Sequence, residues 1–331
     1  MKFAFTDEQQ DFAAATRDLL AKECTAAHVR SAWTNATGRT DRAWRALVEM
    51  GAPAVMAPES TGGLGLNEID LVLLLEETGR CALPEPIVET AMVAAPEGWV
   101  NAHESAACVM PESPFAVWAD TAAVIVTLAG DGVRVLPRDL VVLAPRQSVD
   151  GARRLFEVSV AADARADLGA PVAPVAVAAR AFRRGALGTA AQLVGLADRM
   201  IELTVGYVCE REQFGVKIGT FQAVKHQLAN ARVKLEFARP LVYRAAWSLA
   251  HHDAARSTHV SMAKVQAGDA ALLAARVALQ CHGAIGYTTE YDLHLYMKRA
   301  WALEKSWGDT AWHRRAVGRT LGAGGDQRKG A

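Results

Sequence analysis

Two stretches of this 331-residue chain concentrate side chains of the kind that hold anions. The first reads Arg211-Glu-Gln-Phe-Gly-Val-Lys-Ile-Gly-Thr-Phe-Gln-Ala-Val-Lys-His226 and the second Gln280-Cys-His-Gly-Ala-Ile-Gly-Tyr287. A guanidinium fork such as that of Arg211 suits charge-assisted hydrogen bonds. Each stretch also has a plain structural reading. Arg211 fits a helix C-terminus, where a cation complements the dipole, Phe214-Gly215 fits an exit turn, and Gln280 with Gly283 fits a turn between helices. His226 reads as a structural hydrogen-bonding residue rather than a general base. His251, His252 and His259 lack a carboxylate or thiolate to complete a ligand set, so they read as surface residues at a helix end and no metal is expected.

The elements that carry these residues follow from where the prolines fall. Nine of the twelve lie from Pro84 to Pro174, and beyond Pro174 only Pro240 remains. Residues 1–103 read as short capped helices: Thr6-Asp7-Glu8-Gln9 is a capping-box pattern, and Asn67 precedes the apolar run 71–75 of a buried helix. Residues 104–170 change period. Runs at 122–128 and 133–136 flank Ala129-Gly-Asp-Gly132, a hairpin signal, and 140–143 and 155–160 add strands of a small β domain. Residues 171–322 hold four helical stretches, about 179–210, 221–250, 257–282 and 290–320. In the second, Val224, Leu228, Ala231, Leu235, Ala238 and Val242 form the stripe of a helix in a four-helix bundle. Residues 323–331 read as a flexible tail. The expected class is α+β, mostly α.

Composition narrows the function. Lys and Arg number 36 against 36 Asp and Glu, which leaves no charge surplus for nucleic acid or an anionic membrane. The longest uncharged runs, 185–197 and 277–289, are shorter than the roughly 18 to 20 residues that span a bilayer. The N-terminus has acidic residues and no apolar signal core, so a cytoplasmic protein is expected. Five dispersed cysteines, none in C-x-x-C, read as reduced thiols.

The two stretches, their spacing, and Phe3-Ala-Phe-Thr-Asp-Glu-Gln-Gln and Pro58-Glu-Ser-Thr-Gly-Gly-Leu-Gly65 upstream resemble the acyl-CoA dehydrogenase family over nearly the whole chain. The resemblance implies that family's fold, an FAD cofactor and desaturation of a CoA thioester. It implies that Arg211 bonds the FAD pyrophosphate, that Phe214 gives an apolar face and Gln222 a polar contact, and that Gln280 and Gly283 bring backbone N–H groups against the phosphates. Ala284 departs from the pattern, standing where a second glycine is usual.

The family removes an α-proton with a Glu at one of two places. Here those places hold Trp307 and Gly185 with Ala186, so neither carries a carboxylate. Glu304, on the stripe of Leu293, Met297 and Ala300, and Asp309 are weak substitutes; Arg183 and Arg184 lie near the second place but cannot act as bases. The flavin-ring motifs of longer relatives are also missing between 104 and 165, where Trp118 and Thr127 read as packing residues. The chain therefore resembles the short, non-base subunit of actinobacterial heteromeric acyl-CoA dehydrogenases, as do residues 10–32 and Cys81-Ala-Leu-Pro-Glu-Pro86. That implies an α2β2 assembly with a longer subunit that supplies the Glu and holds most of the acyl-CoA, a substrate that is steroid-derived by analogy, and an electron acceptor left open, with an electron-transfer flavoprotein allowed. Two alternatives stand beside it: a self-sufficient short dehydrogenase using Glu304 or Asp309, and a structural partner that binds no flavin.

Overall fold

The computed structural model describes residues 4–111, 113–161 and 170–322, so the 323–331 tail lies outside the described residues. The Thr6 hydroxyl caps helix α1 (Asp7–Glu23), and the Gln9 side chain returns the bond to the Thr6 N–H, the expected capping box. Two short helices follow, α2 (Ala26–Ala32) and α3 (Asp41–Glu49). Helix α4 (Glu68–Arg80) is capped by Asn67, and its Leu71, Val72, Leu74 and Leu75 are all fully buried. A π-helical segment, Val88–Ala94, closes the N-terminal helical part and is buried throughout.

The β segment forms two three-stranded sheets. In one, β1 (Ala106–Val109) runs parallel to β3 (Val124–Ala129), which pairs antiparallel with β4 (Gly132–Pro137) across the expected Gly130-Asp131 turn. In the other, β2 (Phe115–Val117) and β5 (Val141–Arg146) flank β6 (Leu155–Val160). Trp118 is a packing residue, as the sequence suggests: it is buried, and its indole N–H donates to the carbonyls of Gly38 and Ala152.

The bundle begins with α5 (Val175–Glu210), α6 (Gln222–Ala250) and α7 (Arg256–His282). Where α5 crosses α4, glycines face backbone on both sides. A Cβ on Gly195 would stand 1.9 Å from the Glu76 carbonyl oxygen, and one on Gly79 would stand 2.1 Å from that of Gln192. The α6 stripe is buried from Ala231 to Val242 but only half-buried at Val224 and Leu228, so the first turns of α6 lack a full covering within the chain.

The expected fourth helix, 290–320, is two helices. Helix α8 (Leu293–Lys305) stops at Ser306, and α9 (Thr310–Thr320) restarts from the Asp309 cap. The break has a backbone cause: Trp307 and Gly308 both take positive φ, +56° and +85°, which no helix accommodates. From α8, the buried Arg299 bonds Asp150 of the β segment and the Leu83 carbonyl of the N-terminal part, tying three regions together. No helix is long and apolar enough to cross a membrane among the described residues.

Candidate functional site

Arg211 ends α5 as its C-cap, its N–H bonded to the Tyr207 carbonyl at 2.8 Å. The chain then makes a small hairpin from β7 (Glu212–Gln213) and β8 (Val216–Lys217), with Phe214 and Gly215 at its tip at φ +55° and +77°. Two successive positive φ values are the signature of a type I′ turn, so this is a built hairpin rather than a loose exit loop. It holds the Phe214 ring 93% exposed, with only an edge contact to Phe221 at 6.3 Å. The Arg211 side chain is exposed and has no hydrogen-bond or ion-pair partner among the described residues. Gln222 opens α6, also exposed.

Helix α7 ends at the same end of the bundle. His282 stacks on Tyr207 of α5, ring centroids 4.3 Å apart, and this contact brings the Gly283 turn beside the end of α5. Gly283 has φ +65° and ψ −143°, a combination essentially confined to glycine, and a Cβ there would meet nothing within 4 Å. Ala284 enters the following 3₁₀ turn (Gly283–Tyr287) without a positive φ, so the missing second glycine leaves no backbone strain. Gln280 borders an open groove of about 440 Å³ between α6 and α7, with Gln227, Asn230 and Arg276.

Arg211, Phe214, Gln222, Gln280 and Gly283 are thus all exposed at one end of the bundle. An uncompensated guanidinium, an unburied aromatic ring, two amides and an open glycine turn fit the phosphate half of a dinucleotide, provided a second surface covers it. The structure corrects the histidine reading. His226 is exposed, and its imidazole makes no hydrogen bond among the described residues. His259 is half-buried on the Ser248 hydroxyl at 2.8 Å, whereas its neighbours His251 and His252 are exposed.

At the other end of α5, the two residues standing at the expected base positions touch. The indole of Trp307, 2% exposed, lies directly on Gly185, where a Cβ would come within 2.3 Å of the ring. Glu304 does turn inward, but its carboxylate accepts the Thr310 N–H at 2.9 Å and pairs with Lys305 at 3.0 Å. Burial raises its pKa; the Thr310 and Lys305 bonds outweigh that and hold it below the ordinary value. Asp309 caps α9 through the Trp312 N–H at 2.7 Å, which lowers its pKa.

The helix break is pinned by a buried lysine and a buried ring. Lys264 donates to the carbonyls of Glu304 and Gly308, both at 2.9 Å, and burial pulls its pKa down to about 7. Burial likewise takes His313 to about 4, so the ring is neutral; its Nε2–H donates to the Trp307 carbonyl and its Nδ1 accepts from Ser261. A charge that sequence reading missed sits here too. Glu89, on the π-helical segment, is buried with its pKa raised by burial, and faces Arg153 and the Trp307 indole. A lone Glu in the apolar run from Ile87 to Met92 was the available signal.

The model of the acyl-CoA dehydrogenase N-terminal domain matches residues 6–97, and that of the C-terminal domain matches 175–322. Among curated proteins, acyl-CoA dehydrogenase IpdE2 of Mycolicibacterium smegmatis is 33% identical over 85% of this chain and 88% of its own length. IpdE2 of Mycobacterium tuberculosis is 31% identical over 89% and 91%. Among solved structures, the Tcur3481-Tcur3483 steroid ACAD superposes with a TM-score of 0.85 at 22% identity, covering 96% of this chain and 98% of the other. The ChsE4-ChsE5 complex of M. tuberculosis superposes at 0.83 and 22% identity, over the full length of both chains.

Proposed function

The chain belongs to the acyl-CoA dehydrogenase family of FAD-dependent oxidoreductases, and on that premise we propose that it is the non-base subunit of a heteromeric enzyme that desaturates a CoA thioester. The observation that carries this reading is the contact of Trp307 with Gly185, an indole against a hydrogen atom at the two positions expected to offer a carboxylate. Neither group accepts an α-proton, and the neighbouring Glu304 and Asp309 are engaged as backbone caps. FAD, when bound, would supply the hydride acceptor for the β-carbon. This chain's part is to grip the pyrophosphate with Arg211, cover it with Phe214 and Gln222, and offer the Gln280 side chain and the Gly283 turn. The longer partner supplies the Glu and the ring pocket.

The exposure of the whole half-site supports a shared cofactor, since a pyrophosphate held from one side only would stay in water. The likeness to the ChsE4-ChsE5 complex supports a heteromer, and that to the steroid ACAD supports a steroid-derived acyl group. The test is an FAD count on the chain purified alone and then with a long acyl-CoA dehydrogenase subunit. Flavin should be retained only in the complex. Flavin and turnover in the chain alone would mean a self-sufficient enzyme, and flavin in neither preparation a structural partner.

A further inference from the structure

Helices α1 and α4 run side by side in the same direction, and polar rungs fix their register. Gln9 Nε2 donates to Asp70 Oδ1 at 2.7 Å near the start, and Arg17 pairs with Glu77 at 2.6 Å further along. Both helices then end in a cysteine: Cys24 is the C-cap of α1 and Cys81 that of α4. The Cys24 thiol donates to the Cys81 carbonyl at 3.9 Å. It also bonds the Cys81 side chain, and this contact together with burial raises its pKa well above the ordinary thiol value. The Cys81 thiol donates in turn to the Thr78 carbonyl at 3.3 Å. Both are free thiols, 57 residues apart in sequence. They differ in access, since Cys24 is 3% exposed and Cys81 is half-buried. Both line one pocket of about 280 Å³, together with Arg17, Leu20 and Tyr296.

We propose that Cys24 and Cys81 are a reversible disulfide site, in which Cys81 meets the oxidant and Cys24 closes the bridge. The oxidant is a low-molecular-weight disulfide. The Cys81 thiolate attacks one sulfur of it, the small S–S bond breaks, and the departing thiolate takes up the proton that Cys81 lost. The Cys24 thiolate then attacks Cys81 Sγ in the mixed disulfide, and the second small thiolate leaves with the proton of Cys24. Two protein thiols are thereby oxidised to one disulfide, and one small disulfide is reduced to two thiols. The order follows from access and protonation. The thiolate is the nucleophile in such exchange, and Cys24 is both shielded and held as the thiol, so an outside oxidant finds Cys81 first. Once Cys81 carries the mixed disulfide, its sulfur stands beside Cys24, and proximity makes up for the small thiolate fraction. The rungs along α1 and α4 already hold the two helix ends together, so closure asks for side-chain rotation and no shift of either helix. This site needs neither flavin nor a partner and stands apart from the function proposed above.

The experiment equilibrates the full chain, without denaturant, in glutathione and glutathione disulfide mixed at stepped ratios. Free thiols are then blocked with N-ethylmaleimide and the peptides mapped by mass spectrometry. A linked Cys24–Cys81 peptide should grow with the disulfide fraction and vanish on return to glutathione alone. Cys108 is buried and should stay a thiol in every mixture, which reports that the chain is folded during exchange. Early quenching of the unaltered chain should catch glutathione on Cys81 and not on Cys24. Cys24→Ser should leave Cys81 carrying at least about tenfold more glutathione than Cys24 carries in Cys81→Ser. The absence of a linked peptide at every ratio overturns the proposal, as does a linked peptide that forms only where Cys108 is oxidised too. Glutathione caught first on Cys24, or equally on both, overturns the assigned order.

Discussion

Replacing Arg211 by alanine removes a guanidinium with no partner among the described residues, so the cost should fall on the flavin and leave the fold unchanged. A lost charge-assisted hydrogen bond is worth about 1.5 to 3 kcal/mol, or roughly ten- to two-hundredfold in retention. Flavin content of the Arg211→Ala complex after gel filtration measures it, and an undiminished content would remove Arg211 from the site. Glu304→Gln and Asp309→Asn address the base. Each should lower turnover of the complex by less than about tenfold, whereas loss of a true general base costs about 10²- to 10⁴-fold. A collapse in either, with FAD still bound, would restore the self-sufficient enzyme. Arg211 and the Gly283 turn were legible in the sequence because motif spacing names them. Trp307 and Gly185 were legible separately, by counting from Tyr287 and Gly195, but their contact was not: it joins residues on different helices. Glu89 escaped because a single buried charge leaves no periodic trace.

Among the elements, the long helices follow from apolar spacing, and their observed ends lie within a few residues of the expected ones. The fourth does not, because Trp307 continues the apolar pattern while its backbone leaves it. Only Gly308 and the Asp309 cap marked a stop, and one glycine inside a helical pattern is a weak signal. The parallel pairing of β1 with β3 was likewise hidden, since strand partners are not written into either strand's own alternation. The pinned break gives a pH signature. Lys264 has a folded pKa near 7 because of burial, against about 10.4 in an unfolded chain. Between those values the unfolded state holds a proton that the folded state has released, so this residue makes stability rise as pH climbs from about 7 to 10. Lys264→Met should flatten that rise, read as urea midpoints at pH 7 and 9.5. An equally steep rise in the variant would show that the slope comes from other groups.

For the whole molecule, the bundle carries exposed apolar surface well beyond the Phe214 hairpin. Phe237 is 72% exposed on α6, Val233 stands one turn before it, and Val205 is exposed on α5. With Phe214 and the uncovered start of α6, these argue that the bundle works against another subunit. Phe237→Glu should therefore reduce co-purification with the long subunit by at least about tenfold, while circular dichroism of the chain alone stays unchanged. Co-purification at the original level would place the contact on another face.

Arg299 also sets an order of events. Its partners Asp150 and the Leu83 carbonyl precede it by 149 and 216 residues, so during synthesis a buried carboxylate waits for a cation that the ribosome delivers near the end. Until α8 emerges, the Asp150 oxygen that Arg299 takes must stay hydrated, and the seam between the N-terminal helices and the β segment lacks this one tie. A chain released early, before residue 299, leaves that seam without its bolt and should be prey to proteases at just that joint.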